Sequence, residues 1–398
     1  MTKVAVIAAQ GCEEGETLTI VDIFRRAEIP CDMLGLDGLE ISGTHHIAFC
    51  CDAEFDGSFD AYDMVILPGG YSGTDAMLAS NKLIEALKVA AAAGKLVCAI
   101  CAAPQVLGRA GLLKGRRYTC YPGVVDKVEN AGEWIDAPVV RDGNIITGQG
   151  PAFAYAFAYD LVDVLGVDAE VVKNRMIYYN AFAVEGGVPS WETEAGSWPA
   201  PEGEAPANKQ LTVKKVAVLM PEGCEESETV QIMDLLMRAG LTCKSFATGG
   251  SQWVHTMQDM TVRADHMFSA KAVADYDAIV VPGGRTAAAP LIANDEVMDT
   301  LRTFDKAGKL VGGLCSGTTV LEASGVLAGH RATGYTGYGA KLTSAQFVAD
   351  QIAVWDGNIV TSQGPCAPYP FAFKFMEAAG INPQPIKDRL LYDKACGR

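Results

Sequence analysis

Two cysteines hold the positions in this sequence best suited to chemistry. Cys101 lies in "GKLVCAICAAPQVLGRAG" (94–111), and Cys315 lies at the matching place in "AGKLVGGLCS". In each case an apolar, strand-like run ends in the cysteine, small residues follow (Ala102 and Ala103; Ser316 and Gly317), and a helical pattern begins. A sharp turn of that kind needs small neighbours, and it lifts the side chain above the sheet. The N-terminal N–H groups of the next helix would then point at the sulfur, lowering the thiol pKa and favouring thiolate. The same N–H groups could hold an oxyanion. A buried cysteine is also an ordinary small core residue, so spacing alone leaves nucleophile, redox sensor and structural residue all open.

Acidic residues form the second cluster. "GCEEGET" and "GCEESET" each place three glutamates after a strand, where a helix starts. Glutamates in a first helical turn complement the helix dipole, and that reading fits Glu13, Glu14, Glu225 and Glu226. A carboxyl kept protonated at the end of a neighbouring strand could also hydrogen-bond a thiolate and move protons. Spacing does not single out Glu16 and Glu228 for that role.

The elements that must position these groups are written twice. "KVAVIAAQGCEEGETLTIVDIFRRAEIPC" (3–31) recurs as "KVAVLMPEGCEESETVQIMDLLMRAGLTC" (215–243), an offset of 212. "YDMVILPGG" recurs as "YDAIVVPGG" and "GNIITGQGP" as "GNIVTSQGP", both at an offset of 214. A near-constant offset means a duplicated domain. Between the copies, a Pro-, Gly- and Glu-rich stretch without apolar period predicts an extended linker over 187–213, separating domains at 1–186 and 214–398. Each copy alternates buried strands with amphipathic helices, which predicts a mostly parallel α/β sheet with helices on both faces and a ligand site beyond the strands' carboxyl ends.

Composition bounds the rest. The 398 residues are 49% hydrophobic and 20% charged, with net charge −16. Of that charge, −11 falls in 1–186, −3 in 187–213 and −2 in 214–398. Without a basic stripe, neither nucleic acid nor an anionic membrane is expected as partner. The start has no signal-peptide layout and no apolar run reaches membrane-spanning length, so a cytoplasmic protein with free thiols is expected. Among the 12 cysteines only three pairs recur: Cys12 with Cys224, Cys31 with Cys243, and Cys101 with Cys315. Cys98 falls opposite Gly312, so the CxxC of Cys98 and Cys101 is not repeated and no metal site or cofactor is expected from it.

Taken together, "GCEE-x-ET", "LPGG" or "VPGG", "AICAAP" or "GLCSGT", and "GQGP" or "SQGP" resemble the ThiJ/PfpI superfamily, in particular the branch of the parkinsonism-associated deglycase, which has tandem members. The resemblance covers roughly 2–180 and 214–392. It implies two tandem flavodoxin-like α/β/α sandwiches with nucleophile-elbow cysteines at Cys101 and Cys315. The family's protonated glutamate falls on Glu16 and Glu228. Its oxyanion-type backbone donors fall on Gly70 and Ala102, and on Gly284 and Ser316. One departure stands out. Where members with strong glyoxalase activity carry a histidine, about 20 residues after the cysteine, this chain has Tyr121 and Tyr335 as pocket residues. All five histidines lie elsewhere, and none follows Cys101 in the first copy, so a Cys–His dyad cannot form within it and proteolysis is the weakest reading.

The function implied is a cysteine-dependent glyoxalase III or deglycase-type enzyme acting on small 2-oxoaldehydes, such as methylglyoxal and glyoxal, or their adducts. The alternative is an oxidative-stress sensor or chaperone that uses the same cysteine without turnover. A fold kept only as a structural or binding module fits less well, because both Cys–Glu pairs are retained in both copies. Single-copy relatives form homodimers, which implies an intramolecular pseudo-dimer here. A flexible linker of about 25 residues typically spans roughly 25–30 Å, and tethering raises the effective concentration of the second copy to about millimolar.

Overall fold

The computed structural model describes residues 2–182 and 208–397, and most of the linker expected at 187–213 lies outside them. They form two compact units, one of residues 2–172 with 390–396, the other of 173–182 with 208–389. The tail of each copy therefore belongs to the unit built on the other copy. The last residues of the expected linker pack on the second unit, where Leu211 donates its N–H to Ala378 O at 2.7 Å and Val213 is buried.

In the first unit seven strands form one sheet in the order Val139–Asp142, Ile145–Gly148, Leu96–Ile100, Met64–Leu67, Val4–Ala8, Cys31–Gly35 and Ala53–Glu54. All neighbours are parallel except Val139–Asp142, which closes the edge antiparallel to Ile145–Gly148. The second unit repeats the plan with Lys215–Met220, Thr242–Ala247, Ala278–Val281, Leu310–Leu314 and Ile359–Ser362 as its parallel centre. These strands read as unbroken apolar runs because helices cover both faces of the sheet. Helix Glu14–Arg26 packs with Ala154–Val164, and Asn81–Ala92 packs with Pro104–Arg109. In the second unit Leu219, Ile279, Val281 and Val311 of the sheet meet Val297, Leu301, Phe304 and Leu321 in one buried cluster. The two flavodoxin-like sandwiches expected from the sequence are present. Among the described residues no helix is long and apolar enough to cross a membrane.

This strand order does one thing for the site. Met64–Leu67 lies between Val4–Ala8 and Leu96–Ile100, so the carboxyl ends of three adjacent strands release the glutamate segment, the Pro-Gly-Gly turn and the cysteine side by side. Antiparallel hairpins at Glu40–Ser42/Ala48–Cys50 and Trp253–His255/Thr261–Arg263 are additions that the repeat pattern did not announce. A paired threonine fastens the loop that follows each cysteine. Thr147 Oγ1 accepts from Thr119 N–H at 2.8 Å and Thr361 Oγ1 from Thr333 N–H at 2.9 Å, and all four residues are fully buried.

Valine at Thr147 keeps the shape but removes the acceptor that the buried Thr119 N–H uses among the described residues, which costs about 1–3 kcal/mol. We expect Thr147→Val to lower the urea midpoint of the first unit's unfolding while Thr147→Ser leaves it near wild type. Equal midpoints for the two variants would show that the hydroxyl is not needed.

Candidate functional site

The backbone of each paired cysteine is strained. Cys101 has φ of 61° and Cys315 of 49°, in the left-handed region that non-glycine residues rarely adopt. Hydrogen bonds on both sides hold it there. Cys101 N–H donates to Gly148 O at 3.0 Å, and Cys101 O accepts from Tyr121 N–H at 2.8 Å. In the second unit Cys315 N–H donates to Ser362 O at 3.0 Å, and Cys315 O accepts from the Thr318 hydroxyl at 2.6 Å. This is the strand–turn–helix geometry that presents a side chain at the top of a sheet. Cys101 is 9% exposed and Cys315 is half-buried.

Glu16 and Glu228 stand beside these sulfurs. Glu16 Oε2 accepts from Gly69 N–H at 2.7 Å and Glu228 Oε2 from Gly283 N–H at 2.6 Å, and each carboxyl also hydrogen-bonds its cysteine. The glycines are required by contact. A Cβ at Gly69 would fall 2.6 Å from Cys101 Cβ and 2.8 Å from Glu16 Oε2, and one at Gly283 2.6 Å from Cys315 Cβ and 2.7 Å from Glu228 Oε2. Among the described residues the buried N–H groups of Gly70 and Gly284 donate to no protein acceptor. Those of Ala102 and Ser316 hydrogen-bond the adjacent sulfur. The Ser316 hydroxyl adds a tie that alanine cannot make, donating to Gly284 O at 2.8 Å.

The structure corrects the expectation that the following helix lowers these thiol pKa values. The Ala102 and Ser316 N–H groups do act in that direction, but burial outweighs them and pushes both thiols up, and charge on Glu16, Glu13, Glu228 and Glu225 pushes further the same way. A buried thiol and a buried carboxyl in contact titrate as a pair. With a proton on the carboxyl, its repulsion of the thiolate vanishes and its O–H becomes a donor to the sulfur.

The remaining glutamates stand at the helix starts, Glu13 and Glu225 at the N-cap and Glu14 and Glu226 in the first turn. Glu13, Glu14, Glu225 and Glu226 are all buried. Glu14 Oε1 accepts from His45 N–H at 2.8 Å and Glu226 Oε1 from Gln258 N–H at 3.0 Å, so both tie the helix start to a hairpin. Glu225 caps its helix by accepting from Glu228 N–H at 2.5 Å and from the Ser227 hydroxyl. Cys98 is fully buried within its strand, where burial raises its thiol pKa.

With this geometry in place, comparison with known proteins is direct. The DJ-1/PfpI family matches residues 2–164 and again 214–378. The chain belongs to this family. Protein DJ-1 homolog B of Arabidopsis thaliana is 29% identical over 384 residues, covering 94% of this chain and 84% of the relative. A protein named a deglycase in Pyrococcus abyssi is 39% identical over 127 residues, 31% of this chain and 76% of its own. A solved DJ-1 superfamily protein of Salmonella typhimurium is 39% identical and covers 45% of this chain and 98% of its own, with a TM-score of 0.42.

Tyr121 and Tyr335 each lie against a glycine and a residue of the tail that belongs to the same unit. A Cβ at Gly150 would lie 3.2 Å from both Tyr121 Cδ2 and Leu391 Cδ1, and one at Gly364 would lie 2.9 Å from Tyr335 Cδ2 and 3.5 Å from Ile177 Cδ1. Leu391 and Ile177 are themselves left-handed, with φ of 62° and 55°. Local patterning gave no sign of them, although their offset of 214 repeats that of the cysteines. Tyr338, which lies close enough to Cys315 and Glu228 for their charges to act on it, was also missed.

Replacing Glu16 by glutamine distinguishes the two protonation schemes by sign. If the carboxyl carries the proton, the weaker amide donor raises the pH midpoint for alkylation of Cys101. We expect that rise, read residue by residue with iodoacetamide and mass spectrometry, and the same at Cys315 in Glu228→Gln. A fall in midpoint would mean that a carboxylate charge had been removed.

Proposed function

We propose that this protein is a deglycase-type enzyme of the DJ-1/PfpI family that converts small 2-oxoaldehydes, or their adducts with thiols and amines, to hydroxy acids at Cys101 and Cys315. One observation carries the reading. The same arrangement occurs twice: a left-handed cysteine, a buried glutamate held by the adjacent glycine N–H, and a further glycine N–H with no protein acceptor. The deglycase names of the Pyrococcus relatives support the same class.

The thiolate adds to the aldehyde carbon, and the developing alkoxide is met by the N–H groups of Gly70 and Ala102, or of Gly284 and Ser316. Protonation of that oxygen gives a hemithioacetal. Glu16 or Glu228, as the carboxylate, then takes the hydrogen from the former aldehyde carbon as a proton, and the proton is returned to the neighbouring carbon. That transfer oxidises the first carbon to a thioester and reduces the second to a carbinol, so no external oxidant enters. Water cleaves the thioester, releasing the hydroxy acid and restoring the thiol. Methylglyoxal plus water thus becomes lactate. Neither tyrosine is assigned a proton-transfer step. Tyr335 already donates its hydroxyl to Arg175 O at 2.9 Å, and a phenol is a poor base at neutral pH.

A sensor or chaperone without turnover is the second reading, favoured by the raised thiol pKa values and by tyrosine, Tyr121 and Tyr335, at the positions where strongly active members carry a histidine. Lactate formation from methylglyoxal decides between them. We expect turnover in wild type, partial loss in Cys101→Ser and in Cys315→Ser, and none in the double variant. A wild-type rate equal to the double variant's would remove the enzyme reading.

A further inference from the structure

The two sites match closely enough that one mismatch between them stands out. After Tyr121 and after Tyr335 the chain makes the same turn, Val124 N–H donating to Tyr121 O at 3.0 Å and Tyr338 N–H to Tyr335 O at 2.8 Å. Each turn leads through a short 3-10 helix, Pro122–Lys127 in one copy and Tyr338–Lys341 in the other. Val124 and Tyr338 are therefore structural equivalents at the offset of 214. Val124 is fully buried, whereas Tyr338 is half-buried.

The Tyr338 ring is fixed by its neighbours. It meets the Tyr335 ring edge-on, with centroids 5.6 Å apart and planes at 70°. Lys341 Nζ sits over it, 3.7 Å from the centroid. Its hydroxyl, unlike that of Tyr335, has no hydrogen-bond partner in the protein among the described residues. Burial and the charges of Cys315 and Glu228 push this phenol up to about 12. It thus remains protonated, and able to donate, at any pH at which the protein works.

We propose that Tyr338 is the specificity-determining residue of the second site: its hydroxyl donates a hydrogen bond to an oxygen of the compound added to Cys315. The second site then favours 2-oxoaldehydes that carry a further hydroxyl beyond the two reacting carbons, a preference absent from the first, where the equivalent Val124 is fully buried and has no hydroxyl to donate. This inference rests on the reading that both cysteines add to carbonyl compounds. The Tyr338 hydroxyl left without a partner beside a methyl group loses one hydrogen bond, which amounts to about a three- to ten-fold preference.

Reversible protection of each cysteine tests the inference without requiring turnover. The full chain is alkylated with iodoacetamide in the presence of methylglyoxal or of its 3-hydroxy analogue, and Cys101 and Cys315 are quantified separately by mass spectrometry. The analogue is expected to protect Cys315 at about three- to ten-fold lower concentration than methylglyoxal does, with no such gain at Cys101. Tyr338→Phe, which keeps the ring and its packing, should erase the gain at Cys315 and leave Cys101 unchanged. Protection of both cysteines without a difference between compounds, or a preference that survives in Tyr338→Phe, overturns the inference alone. Failure of either compound to protect either cysteine overturns the carbonyl reading beneath it.

Discussion

A thiol and a carboxyl buried against one glycine cannot both be charged, and much of each unit serves to keep them in that position. Glu16 reaches Gly69 N–H from the first turn of helix Glu14–Arg26, while Cys101 arrives from the far side of the same glycine. No side chain larger than hydrogen fits between them. The sheet order that sets Met64–Leu67 between the strands leading to each group is thus a condition for the pair to meet. Glu14, tied to the hairpin at His45, and Glu225, capping its own helix, fix the helix start from which the glutamate projects. The strain of a left-handed cysteine, about 1–3 kcal/mol, persists because hydrogen bonds at its N–H and its carbonyl leave it no other conformation.

The duplication separates what this arrangement requires from what it tolerates. Retained in both copies are the left-handed cysteine, the glutamate on a glycine N–H, the threonine that fastens the following loop, and a left-handed tail residue. The residues that differ lie around that frame. Gly15 faces Ser227, whose hydroxyl adds a donor to the capping glutamate. Ala102 faces Ser316, and Val124 faces Tyr338. Changes of this kind alter what approaches the sulfur and leave the sulfur's own setting intact.

Much of this was legible in the sequence because it depends on local pattern. Unbroken apolar runs mark buried parallel strands, Pro-Gly-Gly marks a turn, and small residues after Cys101 and Cys315 mark an elbow. What was not legible depends on groups far apart in the chain. That Glu14 and Glu226 are buried and tie the helix start to a hairpin could not be read from their first-turn spacing. The thiol pKa was misjudged because a helix terminus is visible in sequence while desolvation is not. Leu391 lies 290 positions after Cys101 yet belongs to the same unit, and no periodicity could place it there.

A thiol whose pKa is raised by burial also gives the proposed chemistry selectivity. A freely ionised thiolate would react with any electrophile that reached it, whereas each pKa unit of elevation withholds about 1.36 kcal/mol from such encounters. The Gly70 and Gly284 N–H groups work in the opposite sense. Among the described residues neither has a protein acceptor, and in the proposed reaction a carbonyl oxygen that begins to carry charge would supply one, worth about 1–3 kcal/mol. The two effects oppose each other, so in the proposed reaction the thiol ionises most readily when a carbonyl is in place to receive it. A helix terminus acting alone on an exposed cysteine would lower the pKa whether or not substrate was bound. In the proposed reaction, burial, a shared proton and the glycine N–H would together make activation conditional on binding.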